Sequence, residues 1–250
     1  ILRFLDFHLV RCTAYKKLFD TYAPHLVFMA HLFDEPEVHL LREAKRRGIK
    51  TVGLVNSWDK TTSRATLRLL PDYSIVFNNI VKAELIEHNE VSPEQILVSG
   101  LPQYDYYTEP SMTARETFFA KIGVPSPHKL IVYAPLGSAF SSSDWAMIDR
   151  LYALNQEGAF GAGVSILVRF QPNDFIDAEE LKRRPNLLYD YPGKRFSTKR
   201  GVDWDMDEND LEHLKATLTH MSLLVCYASS MSIDAAFFNQ PVINIDFEII

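Results

Sequence analysis

Residues Leu223 to Asp246 read L-L-V-C-Y-A-S-S-M-S-I-D-A-A-F-F-N-Q-P-V-I-N-I-D, and this stretch decides the fold. An apolar run, Leu223 to Ala228, breaks into Ser229 and Ser230. A short helix is expected from there to about Phe238, Asn239-Gln240-Pro241 ends it, and a second apolar run follows from Val242 to Ile245. Strand, serine turn, helix, strand is a βαβ unit, which requires a parallel sheet with its ligand edge at the strand C-termini. The turn sets two hydroxyls and several unpaired backbone N–H groups where an anion can sit. Ser229 therefore has two readings, a phosphate or diphosphate cradle and a plain helix N-cap.

The rest of the chain repeats that rhythm. Leu2, Leu5, Leu9, Cys12, Tyr15 and Phe19 recur at spacings of three and four, the stripe of a half-buried helix over residues 1–22 closed by Pro24. His25 to Ala30 follows as a strand, with His31 to Pro36 as a loop. The next helix opens on Pro36 and closes on Lys45, Arg46, Arg47 and Gly48, cations at the negative end of the dipole before a glycine. Strands are expected at Thr51 to Val55, Tyr73 to Phe77 and Ile96 to Ser99, with helices from Arg64 to about Leu70 and from Val81 to His88. Residues 107–112 have no period and read as a linker. Beyond it come helix Thr113 to Ile122, strand Lys129 to Ala134, helix Asp144 to Gln156, strand Ser165 to Phe170, helix Ala178 to Arg183, strand Asn186 to Tyr191 and helix Glu208 to His220. Pro192 to Trp204 reads as a basic loop. Alternating strands and helices imply parallel sheets wound with helices, in one half over 1–106 and another over 113–250.

Composition narrows the function classes. The chain has 250 residues, 47% apolar and 23% charged, as in ordinary globular proteins. A net charge of −6 disfavours a nucleic-acid partner. Cys12 and Cys226 are the only cysteines, which excludes a disulfide framework and a cysteine metal site and fits a reducing compartment. No metal site is indicated, because the acidic pairs Asp34-Glu35, Asp203/Asp205 and Asp207-Glu208 read as caps and solvated loops. The first helix starts abruptly at Ile1, and Phe247, Glu248, Ile249 and Ile250 directly follow the last strand. The chain reads as cut at both ends, and the native protein is expected to extend beyond Ile1 and Ile250.

Four stretches carry a family resemblance: V-N-S-W-D-K-T-T-S-R (55–64), V-S-G-L-P-Q-Y-D (98–105), L-V-R-F-Q-P-N-D (167–174) and A-S-S-M-S-I-D-A-A (228–236). In this order and spacing they resemble the GT-B glycosyltransferases of bacterial surface polysaccharide synthesis, including the glycerophosphotransferases of teichoic acid. The resemblance implies two Rossmann-like domains with parallel sheets facing across a cleft. It puts an acceptor-side domain at 1–106 and a domain binding a nucleotide-activated donor at 113–250. No cofactor is implied beyond a nucleotide-activated sugar as co-substrate. The implied partners are a nucleotide-sugar donor and a saccharide or lipid-linked saccharide acceptor, in the cytoplasm or at the cytoplasmic face of the inner membrane. For the basic run Lys194, Arg195, Lys199 and Arg200, a solvated loop is the ordinary reading and contact with anionic lipid or phosphate the rarer one.

The same resemblance assigns roles. Ser229 and Ser230 would meet donor phosphates and Asp234 the ribose hydroxyls, although glutamate is commoner there and a plain first-turn acid is the other reading. Gly137 and Ser138 follow the first strand of the second half, where a glycine permits close backbone approach to a diphosphate; an ordinary turn has the same sequence. Arg169 reads either as a phosphate contact or as half of a buried ion pair. Gln171 stands where relatives often carry histidine, and glutamine neither carries charge nor shuttles a proton. On the acceptor side, Trp58 and Lys60 with His31 are candidate sugar contacts, and Trp58 is equally an anchor between loop and core. Inverting transfer needs a base, for which Asp34 comes first and Asp59 second; Asp34 as a helix cap is the bland alternative. The leading function is thus glycosyl transfer. A non-hydrolysing UDP-N-acetylglucosamine 2-epimerase and a non-catalytic nucleotide-binding scaffold of the same fold are the alternatives.

Overall fold

The computed structural model describes residues 1–64, 66–109, 111–227 and 229–246. Pro110 of the linker, Ala228 of the serine stretch and the apolar terminus 247–250 lie outside the described residues. The chain forms two compact units, Ile1–Tyr106 and Tyr107–Ile250.

In the first unit, strands β1 (Leu26–Met29), β2 (Lys50–Leu54), β3 (Tyr73–Val76) and β4 (Ile96–Val98) form one parallel sheet in chain order. Helices α1 (Leu2–Leu9), α2 (Lys16–Tyr22), α3 (Glu35–Arg46) and α4 (Asn79–Asn89) surround it. Val38, Leu41 and Ala44 are buried along α3, and Val38 and Leu41 pack with Met29, Leu32, Val55, Leu67, Val76, Val81 and Leu85. Leu32 plugs the loop after β1 onto Gly53 of β2, where a Cβ would lie 2.3 Å from the leucine side chain. A side chain at 53 would displace Leu32, whose contact seats the His31–Asp34 loop.

Two expectations for this half are corrected. The helix read over 1–22 is two helices, because Arg46 Nη2 donates to the carbonyls of Phe7 and Val10 at 2.7 and 2.9 Å and so takes the acceptors the helix would need to continue. No helix spans 66–70. A single wide turn covers Lys60–Arg64, and Leu67 then has both backbone groups engaged, its N–H by Asn89 Oδ1 at 3.2 Å and its carbonyl by Arg3 Nε at 2.9 Å. Side chains from elements distant in sequence outweighed local propensity in both cases.

In the second unit the sheet order is β11-β10-β5-β6-β7, all parallel, from β5 (Lys129–Ala134), β6 (Val164–Arg169), β7 (Tyr189–Asp190), β10 (Leu223–Cys226) and β11 (Val242–Asn244). Alternate residues of β5 serve two cores. Leu130, Val132 and Ala134 pack with Phe118, Phe119, Leu218 and Leu224 on one face, and Ile131 and Tyr133 with Ile148, Ile166 and Val225 on the other. Helices α5 (Arg115–Lys121), α6 (Asp144–Gln156), α7 (Ala178–Arg183), α8 (Glu208–His220) and α9 (Met231–Phe237) cover the faces. Asp207 starts α8 with a reciprocal capping box to Asp210. The loop read over 192–204 contains half of a small antiparallel hairpin, β8 (Lys194–Arg195) with β9 (Trp204–Asp205), whose two-residue arms are too short to show alternation. Among the described residues no helix is long and apolar enough to cross a membrane.

Phe118 is fully buried between α5, α8 and the sheet. Phe118→Ala is expected to destabilise the 107–250 unit by about 3–5 kcal/mol, whereas Phe196→Ala, at an exposed ring, stays within about 0.5 kcal/mol. Urea midpoints of the two variants check this.

Candidate functional site

Strand order in the second unit reverses between β5 and β10: the chain builds β5, β6 and β7 outward on one side, then crosses back to lay β10 and β11 on the other. The loops after β5 and β10 therefore leave in opposite directions and open a crevice at their C-terminal ends, the position where open α/β sheets bind ligands. A cavity of about 370 Å³ lies there, lined by Pro135, Arg169, Gln171, Ser229, Ser230 and Asp234 together with Trp204 and Met206. Five residues singled out from the sequence are thus brought together by topology.

Asp234 is the chemically distinct group among them. It sits in the first turn of α9, largely shielded, and burial pushes its carboxyl up to about 6; the Tyr107 hydrogen bond and the charge of Arg169 act the other way. A carboxyl shifted to near neutrality inside a cleft is a mark of functional sites. Tyr107 was assigned to the linker, yet it bonds Asp234 and packs on Phe237 and Phe238, with ring centroids 5.6 and 5.1 Å away. Arg169 forms the buried ion pair of its second reading, with Asp190. His213 Nε2 lies 3.1 Å from the same carboxylate. Burial alone would raise Asp190, but the His213 hydrogen bond and the Arg169 charge outweigh it and hold the carboxyl below its ordinary value. Arg169 still lines the cavity, a charge held in place from behind by Asp190.

Around the serines, Ser230 occupies the N-cap position of α9 without a side-chain capping bond, while Ser229 Oγ accepts from Met231 N at 3.3 Å. The Ser229 carbonyl accepts from Ser232 Oγ at 2.6 Å. The turn after β5 closes on the protein's own groups. Its Gly137 and Ser138 N–H groups donate to internal carboxylates, Gly137 N to Asp144 Oδ2 at 2.8 Å and Ser138 N to Asp174 Oδ2 at 2.7 Å. Ser138 Oγ adds a 2.9 Å bond to Asp174 Oδ1. Gly137 has φ of +96°, and a Cβ there would lie 2.6 Å from Asp174 Oδ2, so glycine is required. Gln171 Nε2 donates to Leu136 O at 2.6 Å and its Oε1 accepts from Arg200 Nη2 at 3.2 Å. Gln171 and this turn also border a second cavity of about 250 Å³.

In the first unit the candidates sit on the loops after β1 and β2. His31 Nδ1 accepts from Phe33 N at 3.2 Å and lies 3.8 Å from Asp34 Oδ2. Asp34 stands at the N-cap of α3 but makes no side-chain capping bond, and its carboxylate is two-thirds exposed. Lys60 reaches over the Phe33 ring, 5.5 Å from its centroid, which ties the two loops together. Asp59 accepts from Ser57 Oγ, and Trp58 is exposed.

Sequence reasoning did not single out Tyr107, Asp174, Arg200 or Glu37 as site residues. Asp174 closes the L-V-R-F-Q-P-N-D stretch, so a signal for it was present. Arg200 belongs to the basic run, for which a phosphate contact is the rarer reading.

No protein-family model matches the chain, and no curated protein sequence matches it. Solved structures do. The Staphylococcus aureus MnaA–UDP co-structure superposes on 92% of this chain at 10% identity and a TM-score of 0.59. UDP-GlcNAc 2-epimerase from Neisseria meningitidis bound to UDP-GlcNAc superposes on 92% at 9% identity and a TM-score of 0.60. The wall teichoic acid polymerase TagF aligns over 96% of this chain and 76% of its own at 13% identity, with a TM-score of 0.45 that is too low to carry an argument. The chain spans 59% and 62% of the lengths of the first two. At these identities the likeness is one of fold: two Rossmann-like sets around parallel sheets, the GT-B arrangement.

Proposed function

We propose that the protein is a glycosyltransferase whose 107–250 unit binds the nucleotide portion of an activated sugar at the β5/β10 crevice. The observation that carries this reading is the meeting of Ser229, Ser230, Asp234 and Arg169 around one cavity at the strand-order switch. The two hydroxyls and Arg169 suit donor phosphates, and the Asp234 carboxylate suits a pair of ribose hydroxyls. Charge developing on the departing diphosphate would be stabilised by these fixed groups. Residues 1–106 would carry the acceptor, a saccharide or lipid-linked saccharide. Asp34 is the first candidate to take the acceptor proton, Asp59 the second, and His31, Trp58 and Lys60 would contact the sugar.

Epimerisation of a UDP-sugar is the second reading, supported by the fold shared with UDP-GlcNAc 2-epimerases. Against it, the described lining of the crevice holds one carboxylic acid and no histidine. Incubation with UDP-GlcNAc alone separates the two, because only an epimerase turns over without an acceptor. A thermal-shift screen with UDP, GDP, CDP, CMP and ADP then identifies the base, since a ligand of the native state raises its stability.

Ser229→Ala combined with Ser230→Ala is expected to weaken binding of the best nucleotide at least tenfold by calorimetric titration, each lost bond to a charged group contributing about 1.5–3 kcal/mol. Unchanged affinity in the folded double variant would reduce the serines to a helix start. Asp34→Asn should lower turnover at least a hundredfold with nucleotide affinity unchanged, the scale of a lost general base.

Asp234 gives a test with a defined sign. Its folded value of about 6 exceeds the ordinary 3.8, so its contribution to stability is fully present below pH 3.8 and is lost as pH rises through 6. Above that range the buried carboxylate costs up to about 3 kcal/mol. Asp234→Asn is therefore expected to gain stability relative to wild type between pH 4 and 8, while binding nucleotide more weakly. Denaturant titrations across that range, paired with calorimetry, check both halves; equal affinity would remove Asp234 from the donor site.

A further inference from the structure

We propose that His31, Asp34 and Glu37 form a binding site for one divalent transition-metal cation of the Zn²⁺ or Mn²⁺ class, independent of the nucleotide crevice. The three residues recur at i, i+3 and i+6 along the loop after β1 and the first turn of α3. One donor atom from each lies within 4.8 Å of the other two. Donors sharing an ion at about 2.0–2.2 Å stand roughly 3–3.5 Å apart, so the side chains would close by at most roughly 1.5 Å to hold one.

A second observation points to a cation. Glu37 Oε2 is shielded from solvent and has no hydrogen-bond partner. A shielded carboxylate oxygen without a donor has lost its water without gaining a partner, and a metal ion satisfies it directly. The neighbouring acid Glu35 is engaged elsewhere, by Arg68 and His39, which explains why Glu37 and not the Asp34-Glu35 pair completes the cluster. One imidazole and two carboxylates suit Zn²⁺ or Mn²⁺ better than an all-oxygen cation such as Ca²⁺. Binding through Nδ1 would replace the 3.2 Å bond from Phe33 N. The positive end of α3, equivalent to about half a charge, opposes the ion but is outweighed by two carboxylates. With the ion bound Asp34 would be a ligand and not a free base, and the position left open by three protein ligands is where an acceptor hydroxyl would be acidified in its place.

Calorimetric titration of metal-stripped protein with ZnCl₂ and with MnCl₂ tests the proposal. One saturable site is expected, with affinity at least tenfold weaker in both His31→Ala and Glu37→Gln. X-ray absorption of the zinc-loaded protein should show nitrogen and oxygen scatterers at about 2.0–2.2 Å and an imidazole signature that is lost in His31→Ala. Failure of both ions to saturate the protein, or affinities unchanged in the two variants, overturns it. Should His31→Ala not fold, Asp34→Asn at a two-thirds exposed side chain carries the same comparison.

Discussion

The parallel pairing of β10 against β5 is the constraint on which the rest of the second unit depends. Leu223 to Cys226 align with Ile131 to Ala134, and this register ends both strands at one level. Everything chemically notable follows from that level. The serine turn leaves from one strand, the Gly137 turn from the other, and Arg169 arrives from β6 beside them. The pairing persists because both faces of β5 are buried in separate apolar cores, so a one-residue slip would exchange the two cores wholesale.

Behind the crevice, polar groups are held by second partners rather than left to move. Asp190 fixes Arg169 and is itself held by His213. Asp144 takes the N–H groups of Leu136 and Gly137 together with the Tyr133 hydroxyl, which burial and the adjacent carboxylate keep protonated. Gln171 joins Leu136 to Arg200 through both ends of its amide. Such networks position side chains more exactly than packing alone.

Much of this was legible in the sequence where the signal was local. The βαβ reading of Leu223 to Asp246 rested on an apolar run, a serine pair and a proline, and the structure has β10, α9 and β11 in those places. The α/β class with two parallel sheets followed from the same rhythm. Interactions between distant residues were not legible. Arg46 stopping a helix at Val10, Asn89 holding Leu67 out of one, and Tyr107 reaching Asp234 depend on side chains that no window of sequence contains. The Gly137 turn is instructive for the opposite reason. Its sequence correctly called for glycine, but the close neighbour is the Asp174 carboxylate of the protein itself.

That internal carboxylate gives the two adjoining cavities an electrical polarity. On the Gly137 side the backbone donors are already neutralised by Asp144 and Asp174, and a further anion would meet like charge only partly offset by Arg200. On the Ser229 side the hydroxyls and Arg169 favour negative charge, while Asp234 beside them accepts from hydroxyls and, above about pH 6, repels an anion. On the proposed reading, a ligand with an anionic end and a hydroxyl-rich neutral end would be sorted by direction, its charge toward the serines and Arg169 and away from Asp144 and Asp174, its hydroxyls toward Asp234. Polarity of this kind selects one of two opposite binding orientations before any shape complementarity operates.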